Sequence, residues 1–428
     1  MTWKPQEPLT PMLPTGSEPL GRRHVLRWLS IGGAVLVTGC GGDSSATGGG
    51  IDVVQGAAAS PDPVPSPTAT PASTSGTQSS LAARTTPTGR GVAFGSLEGS
   101  PDSLPGRLYG EVFPEPESHF AYYASKGCDH IRLEGAWERL QPRLYGSLGE
   151  QLLGHYDDPN NPLRNPVAIV RRDLDMAAKY GLKVILDLCH NYGSRYVGYD
   201  GTWAHMTRAQ LGSAQVPVDA WIDFCVKVTQ AFGNHPAVAS IELMNEPHSL
   251  PIGNVGWANA CQAAITAIRQ VNWNVAIVVG GYEWSNAQLW PYLNPTLHTL
   301  VDPARNLFWS AHVYFDRDSS GTYGGGGESA PADANVGVAR VTPFLNWLNQ
   351  HGLYGRGHIG EFGAPNRAEW QPVVQNFVQA TKQAGLVLTA HQDVAYANDT
   401  YQMNLFPTTD SSGRITGADR LVLQSLLS

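Results

Sequence analysis

The 428-residue chain is short of charge, of cysteine and of long apolar runs. Only 15% of its residues are Asp, Glu, Lys or Arg, and 36 acidic residues outnumber 28 basic ones, for a net charge of −8. A chain that works mainly on DNA or RNA needs a basic surface, so that class is excluded. With 42% hydrophobic residues the chain still has apolar surface enough for a sizeable core, which excludes disorder throughout. Five cysteines in this length make no disulfide scaffold. No apolar run reaches the roughly 20 residues that a membrane-spanning helix needs. Familiar motifs are missing too. Without His-Glu-x-x-His, Cys-x-x-Cys or Gly-x-Ser-x-Gly, the marks of zinc protease, zinc ribbon and serine hydrolase chemistry are absent. The run Gly324–Gly327 is followed by no Gly-Lys-Ser/Thr and reads as a flexible loop rather than a phosphate cradle. Asp157-Asp158 with Asn160 and Asn161 fits no standard calcium loop and reads as a solvated turn.

What is present is a three-part organisation. In residues 1–40, Arg22-Arg23 precede an apolar stretch from Trp28 to Val37, and Val37-Thr38-Gly39-Cys40 closes it. A basic start, a short apolar stretch and small residues at the exit describe an export signal. The arginine pair resembles a twin-arginine signal. The last four residues resemble a bacterial lipobox, whose cysteine becomes the lipidated first residue, so Cys40 is the lipidation candidate. An ordinary export signal with an incidental cysteine is the plainer alternative. Residues 41–90 are a linker, since Gly, Ala, Ser, Thr and Pro fill 38 of the 50 positions. Such a tether would hold a domain off a membrane, within reach of a large partner. The expected location is outside the cell or on its surface, with membrane contact only through the lipid.

From 91 to 428 the pattern changes to strand-length apolar runs alternating with amphipathic stretches. Strands are predicted at Gly91–Leu97, Asp129–Leu133, Lys183–Cys189, Val238–Met244, Val275–Gly280, Leu307–Val313, His358–Phe362 and Val387–Ala390. Helices are predicted at Glu117–Lys126, Val167–Tyr180, Val218–Phe232, Gly256–Val271, Asn286–Tyr292, Val338–Gln350, Arg367–Ala384 and Ala418–Leu427. Alternating units of this kind imply a parallel sheet, and eight of them closing on themselves give a (β/α)8 TIM barrel of class α/β. The open doubly wound alternative usually begins with a Gly-rich phosphate turn, which Gly91-Val-Ala-Phe-Gly-Ser-Leu-Glu98 is not.

Barrel active sites lie at the C-terminal strand ends, and polar residues recur there. Glu246 closes the fourth strand and Glu361 the seventh, which lie across the mouth from each other. Two such carboxyls are what glycoside hydrolysis requires, one protonated for the leaving oxygen and one ionised to attack the anomeric carbon. Arg132 is placed to keep Glu361 ionised, Tyr314 to donate a hydrogen bond to it, and Asn245 to bind a sugar hydroxyl. This chemistry needs no metal or organic cofactor. Tryptophan (12) and tyrosine (16) exceed phenylalanine (11), which suits stacking on sugars, though aromatics also fill cores. Trp137, Trp203 and Trp284 fall on predicted loops, whereas Trp221, Trp257 and Trp347 lie within predicted helices and read as packing. Cys128, Cys189, Cys225 and Cys261 lie in apolar contexts and read as buried thiols.

These segments together resemble glycoside hydrolase family 5, the cellulase family. The resemblance rests on Arg132, Trp137-Glu138-Arg139-Leu140-Gln141-Pro142, Asp187 to Tyr192, Met244-Asn245-Glu246-Pro247, His312-Val313-Tyr314 and Gly360-Glu361-Phe362-Gly363. It covers nearly all of 91–428. It implies a retaining hydrolase of β-linked glycans, with Glu246 as acid/base and Glu361 as nucleophile. Around them it implies a subsite of Arg132, His190, Asn191, Asn245, His312 and Tyr314, with Trp137 and Trp284 as further sugar contacts. The expected enzyme is a monomeric endo-β-1,4-glucanase acting on a polysaccharide. Mannan, xyloglucan, a decorated exopolysaccharide, glycan transfer or non-catalytic polysaccharide binding are the alternatives. One position departs from the pattern. The family usually carries a Trp at the end of the eighth strand, where this chain reads Leu388-Thr389-Ala390-His391-Gln392-Asp393. Either His391 takes that place, or the strand is shifted and an aromatic such as Tyr396 supplies the floor.

Overall fold

The computed structural model describes residues 85–395 and 401–428. Arg22, Arg23, Cys40 and Tyr396 lie outside them. Eight parallel strands close into a barrel in chain order. They are β1 (Arg90–Leu97), β2 (His130–Gly135), β3 (Lys183–Asp187), β4 (Val238–Glu242), β5 (Ala276–Gly280), β6 (Leu307–Tyr314), β7 (Gly357–Gly363) and β8 (Val387–Asp393). Closure is made where Gly91 pairs with Thr389 of β8 on one side and with His130 of β2 on the other. The strands read as near-continuous apolar runs because both of their faces are buried.

The helices are α1 (Glu117–Ser125), α2 (Trp137–Leu140), α3 (Pro166–Lys179), α4 (Val218–Phe232), α5 (Gly253–Val271), α6 (Trp290–Leu293), α7 (Val336–Gln350), α8 (Gln371–Gln383) and α9 (Leu421–Leu427). Asn165 caps α3 through its side chain, accepting from Val167 N, with Pro166 in the first turn. Helix α4 buries Trp221, Phe224, Cys225, Val228 and Phe232, the spacing of one helical face. Its Trp221 packs against Trp257 of α5 at 5.2 Å. Each indole N–H then donates to a carbonyl at a strand end, Trp221 to Leu243 and Trp257 to Gly280. These helices therefore fix the ends of β4 and β5, where the polar residues begin. The four domain cysteines are buried and unpaired. Among the described residues, no helix is long and apolar enough to cross a membrane.

The structure differs from the sequence reading in its local detail. Asn286–Tyr292 is predicted as a helix, but only the one turn of α6 forms there, after three consecutive left-handed residues, Glu283, Trp284 and Ser285. Trp137, predicted on a loop, starts the short helix α2. An antiparallel pair, Ser194–Val197 with Thr207–Gln210, follows β3 and was not anticipated. Strand β8 runs three residues further than predicted, because Gln392 and Asp393 stay buried against β1 and α1.

Behind β8, His119 of α1 lies 2.7 Å from Asp393 and 3.4 Å from Glu115, stacked on Phe406 at 3.6 Å. Burial alone would lower the His119 pKa, but the Asp393 carboxylate outweighs it and lifts it to about 10. Burial and Asp393 push Glu115 up as well. Both groups hold their protons more tightly in the fold than in the unfolded chain. The His119 contribution is whole below the unfolded His value of about 6.5. It is lost as pH rises through about 10. The melting temperature is expected to fall between pH 6 and pH 10, and to fall less steeply in His119→Gln. Equal slopes in a thermal-unfolding series would refute this role for His119.

Candidate active site

The mouth of the barrel is organised around one side chain. Arg132 points inward from β2 with no exposed surface. Its Nη1 donates to Glu134 (2.7 Å) and Glu361 (3.2 Å), and its Nε to Glu242 (2.8 Å). Its Nη2 donates to Asn245 (2.7 Å) and stands 2.9 Å from Asp187. One inward position earlier on β2, His130 reaches Thr389 Oγ1 at 2.9 Å, and His358 of β7 reaches the same oxygen at 2.8 Å. Burial holds both rings neutral, taking His130 down to about 4 and His358 well below its ordinary value. The layer beneath the site is therefore uncharged, and Arg132 is the cation at its centre.

Glu246 and Glu361 face each other above that layer. His312 on β6 links them, with Nδ1 2.7 Å from Glu246 Oε1 and 3.6 Å from Glu361 Oε2. One carboxylate oxygen of each lies within 4.8 Å of the other and of the His312 donor. Gly360 makes this possible, since a Cβ there would stand 2.4 Å from Ser310 Oγ and 2.9 Å from His312 Nε2. Tyr314 donates to Glu361 Oε2 at 2.6 Å. Burial opposes the ionisation of Glu361, but His312, His391 and Arg132 outweigh it and hold its pKa well below the usual carboxylate value. Glu246 has a positive φ of 44°. A non-glycine residue in that region costs about 1–3 kcal/mol and persists where the surroundings impose it.

His190, past the end of β3, lies 2.6 Å from Asp187 and 3.1 Å from Asn245 Nδ2. Burial would lower its pKa, but Glu134 and Asp187 raise it to about 10, so it is a second cation. His391 lies on β8 inside the mouth, 3.6 Å from Glu134 and 4.0 Å from Glu361. Tyr396, the other candidate for this place, lies outside the described residues. Glu361 and Glu134 raise the His391 pKa against the effect of burial. On the opposite side, Trp284 stacks on His248 at 3.7 Å and faces Tyr192 at 5.9 Å.

Two expected sugar contacts lie a layer back. Trp137 is buried, stacked on Phe224 at 5.4 Å and covered by the Arg195 guanidinium at 4.4 Å. Asn191 accepts from Trp137 N and donates to Glu138, which fixes α2 to the β3 loop. Both shape the wall rather than the opening. Trp203 likewise is buried, donating to Gln151. Conversely, Glu134, Asp187 and Glu242 belong to the Arg132 cluster, and the sequence reading gives none of them a role. Their signal was a charge at an inward, period-two position of an otherwise apolar strand. Three groups of possible cation ligands fall within this mouth, Glu134/Asp187/His190, Glu134/Glu361/His391 and Glu246/His312/Glu361, and one, Glu115/His119/Asp393, behind β8. In each, a histidine or Arg132 already faces the carboxylates.

A closed barrel whose mouth holds two facing carboxylates defines the class of barrel O-glycosyl hydrolases. Residues 87–393 match the cellulase family, glycosyl hydrolase family 5, and the chain belongs to that family. Pseudomonas stutzeri endoglucanase Cel5A, solved with cellobiose, is 30% identical and superposes with a TM-score of 0.66 over 81% of this chain and 94% of its own. An endo-β-1,4-glucanase of Xanthomonas axonopodis pv. citri is 28% identical, with a TM-score of 0.65 over 79% and 97%. A probable endo-β-1,4-glucanase B of Neosartorya fischeri is 31% identical over 277 residues, 63% of this chain and 71% of that one.

Removing one partner of a buried ion pair costs about 3–5 kcal/mol, because the other charge is left uncompensated. Arg132→Ala is therefore expected to lower the melting temperature sharply and to abolish hydrolysis. Arg132→Lys should fold but lose most activity, since one ammonium cannot hold this fork of acceptors. Calorimetry with glycan-hydrolysis assays checks both. A fully active Lys variant would contradict the organising role.

Proposed function

We propose that this chain is a retaining endo-β-1,4-glucanase with Glu361 as nucleophile and Glu246 as general acid/base. The close approach of the two carboxylates carries the reading. One oxygen of each lies within 4.8 Å of the other, in keeping with the about 5–5.5 Å separation of retaining enzymes rather than the about 6.5–9.5 Å of inverting ones. Glu361, held ionised, attacks the anomeric carbon while Glu246 gives its proton to the departing glycosidic oxygen. A water then attacks the same carbon, its proton passes to Glu246, and Glu361 is released. Arg132 and Tyr314 hold the nucleophile, His312 orients both carboxyls, and Asn245 and His190 line the subsite. Family membership and the endoglucanases it resembles support a β-1,4-glucan as substrate.

The same proposal includes export. Residues 1–40 direct the chain out of the cell, Cys40 carries the lipid, and residues 41–90 tether a monomeric catalytic domain.

Reducing-end release from carboxymethyl cellulose tests the chemistry. The parent should be active and Glu361→Gln inactive. Glu246→Gln should lose about 10²- to 10⁴-fold in kcat, the usual worth of a positioned proton donor. An active Glu361→Gln, or a product first released with inverted anomeric configuration, would overturn the mechanism. For the anchor, cells expressing the full chain should incorporate labelled fatty acid, and Cys40→Ser should abolish it. Equal labelling of both would remove Cys40 from the proposal.

A further inference from the structure

The rim where β8 meets β1 carries polar groups that the two-carboxylate chemistry does not use. Glu98 follows β1, and its side chain is 22% exposed, against 1–2% for Glu361 and Glu246. Its carboxylate lies 3.9 Å from His190 Nε2, beyond hydrogen-bond range. Burial raises its pKa while His190 opposes the rise. Gln392, on the neighbouring strand β8, contributes Oε1, which is buried and has no hydrogen-bond partner. Its Nε2 is turned to His391 Nε2 at 3.0 Å.

Both acceptors converge on Gly95. A Cβ there would stand 2.6 Å from Gln392 Oε1 and 3.5 Å from Glu98 Oε2. The missing side chain leaves two acceptors close enough for one sugar ring to reach both. A buried polar atom without a partner calls for one.

If Glu246 on β4 protonates the departing oxygen, the leaving chain is on the β4 side of the mouth and the sugar held by Glu361 on β7 is toward the edge where β8 pairs with β1. Resting on the glucan-hydrolase reading, we propose that Glu98 and Gln392 are specificity-determining residues that accept hydrogen bonds from hydroxyls of the glucosyl unit on the non-reducing side of the cut. With His391 beside them, this edge grips its sugar by hydrogen bonds, where a stacking aromatic would grip by its face.

Steady-state kinetics on cellopentaose with the full chain tests this. A hydrogen bond to a charged group is worth on the order of tenfold or more in affinity. Glu98→Ala should raise KM about tenfold and Gln392→Ala, which removes a neutral acceptor, about three- to tenfold, each leaving kcat within about threefold. Bonding to one sugar makes their effects interdependent, so the double variant should lose less than the product of the single losses. Glu98→Gln, which keeps the shape and an acceptor, should recover part of the Glu98→Ala loss. An unchanged KM, a loss confined to kcat, or a Gln variant no better than Ala would overturn the assignment. If Glu98→Ala melts early, Glu98→Gln and Gln392→Ala decide alone, and parental KM in both refutes it. A parent without activity on cellopentaose or carboxymethyl cellulose is a different failure, that of the glucanase reading itself.

Discussion

The site depends on one buried guanidinium. Arg132 has no access to solvent, yet it faces carboxylates from β2, β3, β4 and β7. Isolated ions are costly in such an interior, and a cluster survives only if geometry and counter-charge are supplied together. A planar fork of donors inside the barrel supplies both, because several acceptors can meet it in defined directions. His190, its pKa held at about 10, adds positive charge at the rim. The result is an uneven division of protons. Burial raises Glu242 even though Arg132 opposes it, while the neighbouring cations pull Glu134 and Glu361 down. Glu361, whose ionised form the proposed chemistry uses, faces His312, His391 and Arg132.

Positioning is shared between layers. The tryptophans of α4 and α5 hold strand-end carbonyls from outside. Inside, the chain after β4 turns through a left-handed Glu246, and Ser249 N donates to Glu283 of the neighbouring loop. Strain at Glu246 is thus opposed by packing on one side and by a loop-to-loop hydrogen bond on the other. Loops alone would not hold a carboxylate to this geometry; loops pinned to a rigid barrel do.

Most of the barrel was legible because its strands are buried on both faces and interrupted by helical periodicity. Lys183-Val-Ile-Leu-Asp187 and Ala276-Ile-Val-Val-Gly280 can hardly be read otherwise. The strand-end positions of Glu246 and Glu361 followed from that pattern. What escaped depended on tertiary context. Trp137 sits in a motif that suggests a sugar contact, but only the fold shows Arg195 and Phe224 covering it. The helix expected over Asn286–Tyr292 is cut short by left-handed residues that no propensity signals. Glu134, Asp187 and Glu242 look like ordinary charges until the barrel closes and turns them onto one arginine.

That closure has a consequence for how the molecule is made. Gly91 finds Thr389 only after nearly the whole domain has been synthesised, and such distant pairings form late. Glu361 lies on β7, His391 on β8, and Arg132, which faces Glu361, on β2. A chain arrested before its last two strands would bury a cation cluster without its full set of neighbours and would hold no complete site. Activity therefore reports on closure, since only the closed ring assembles the whole site.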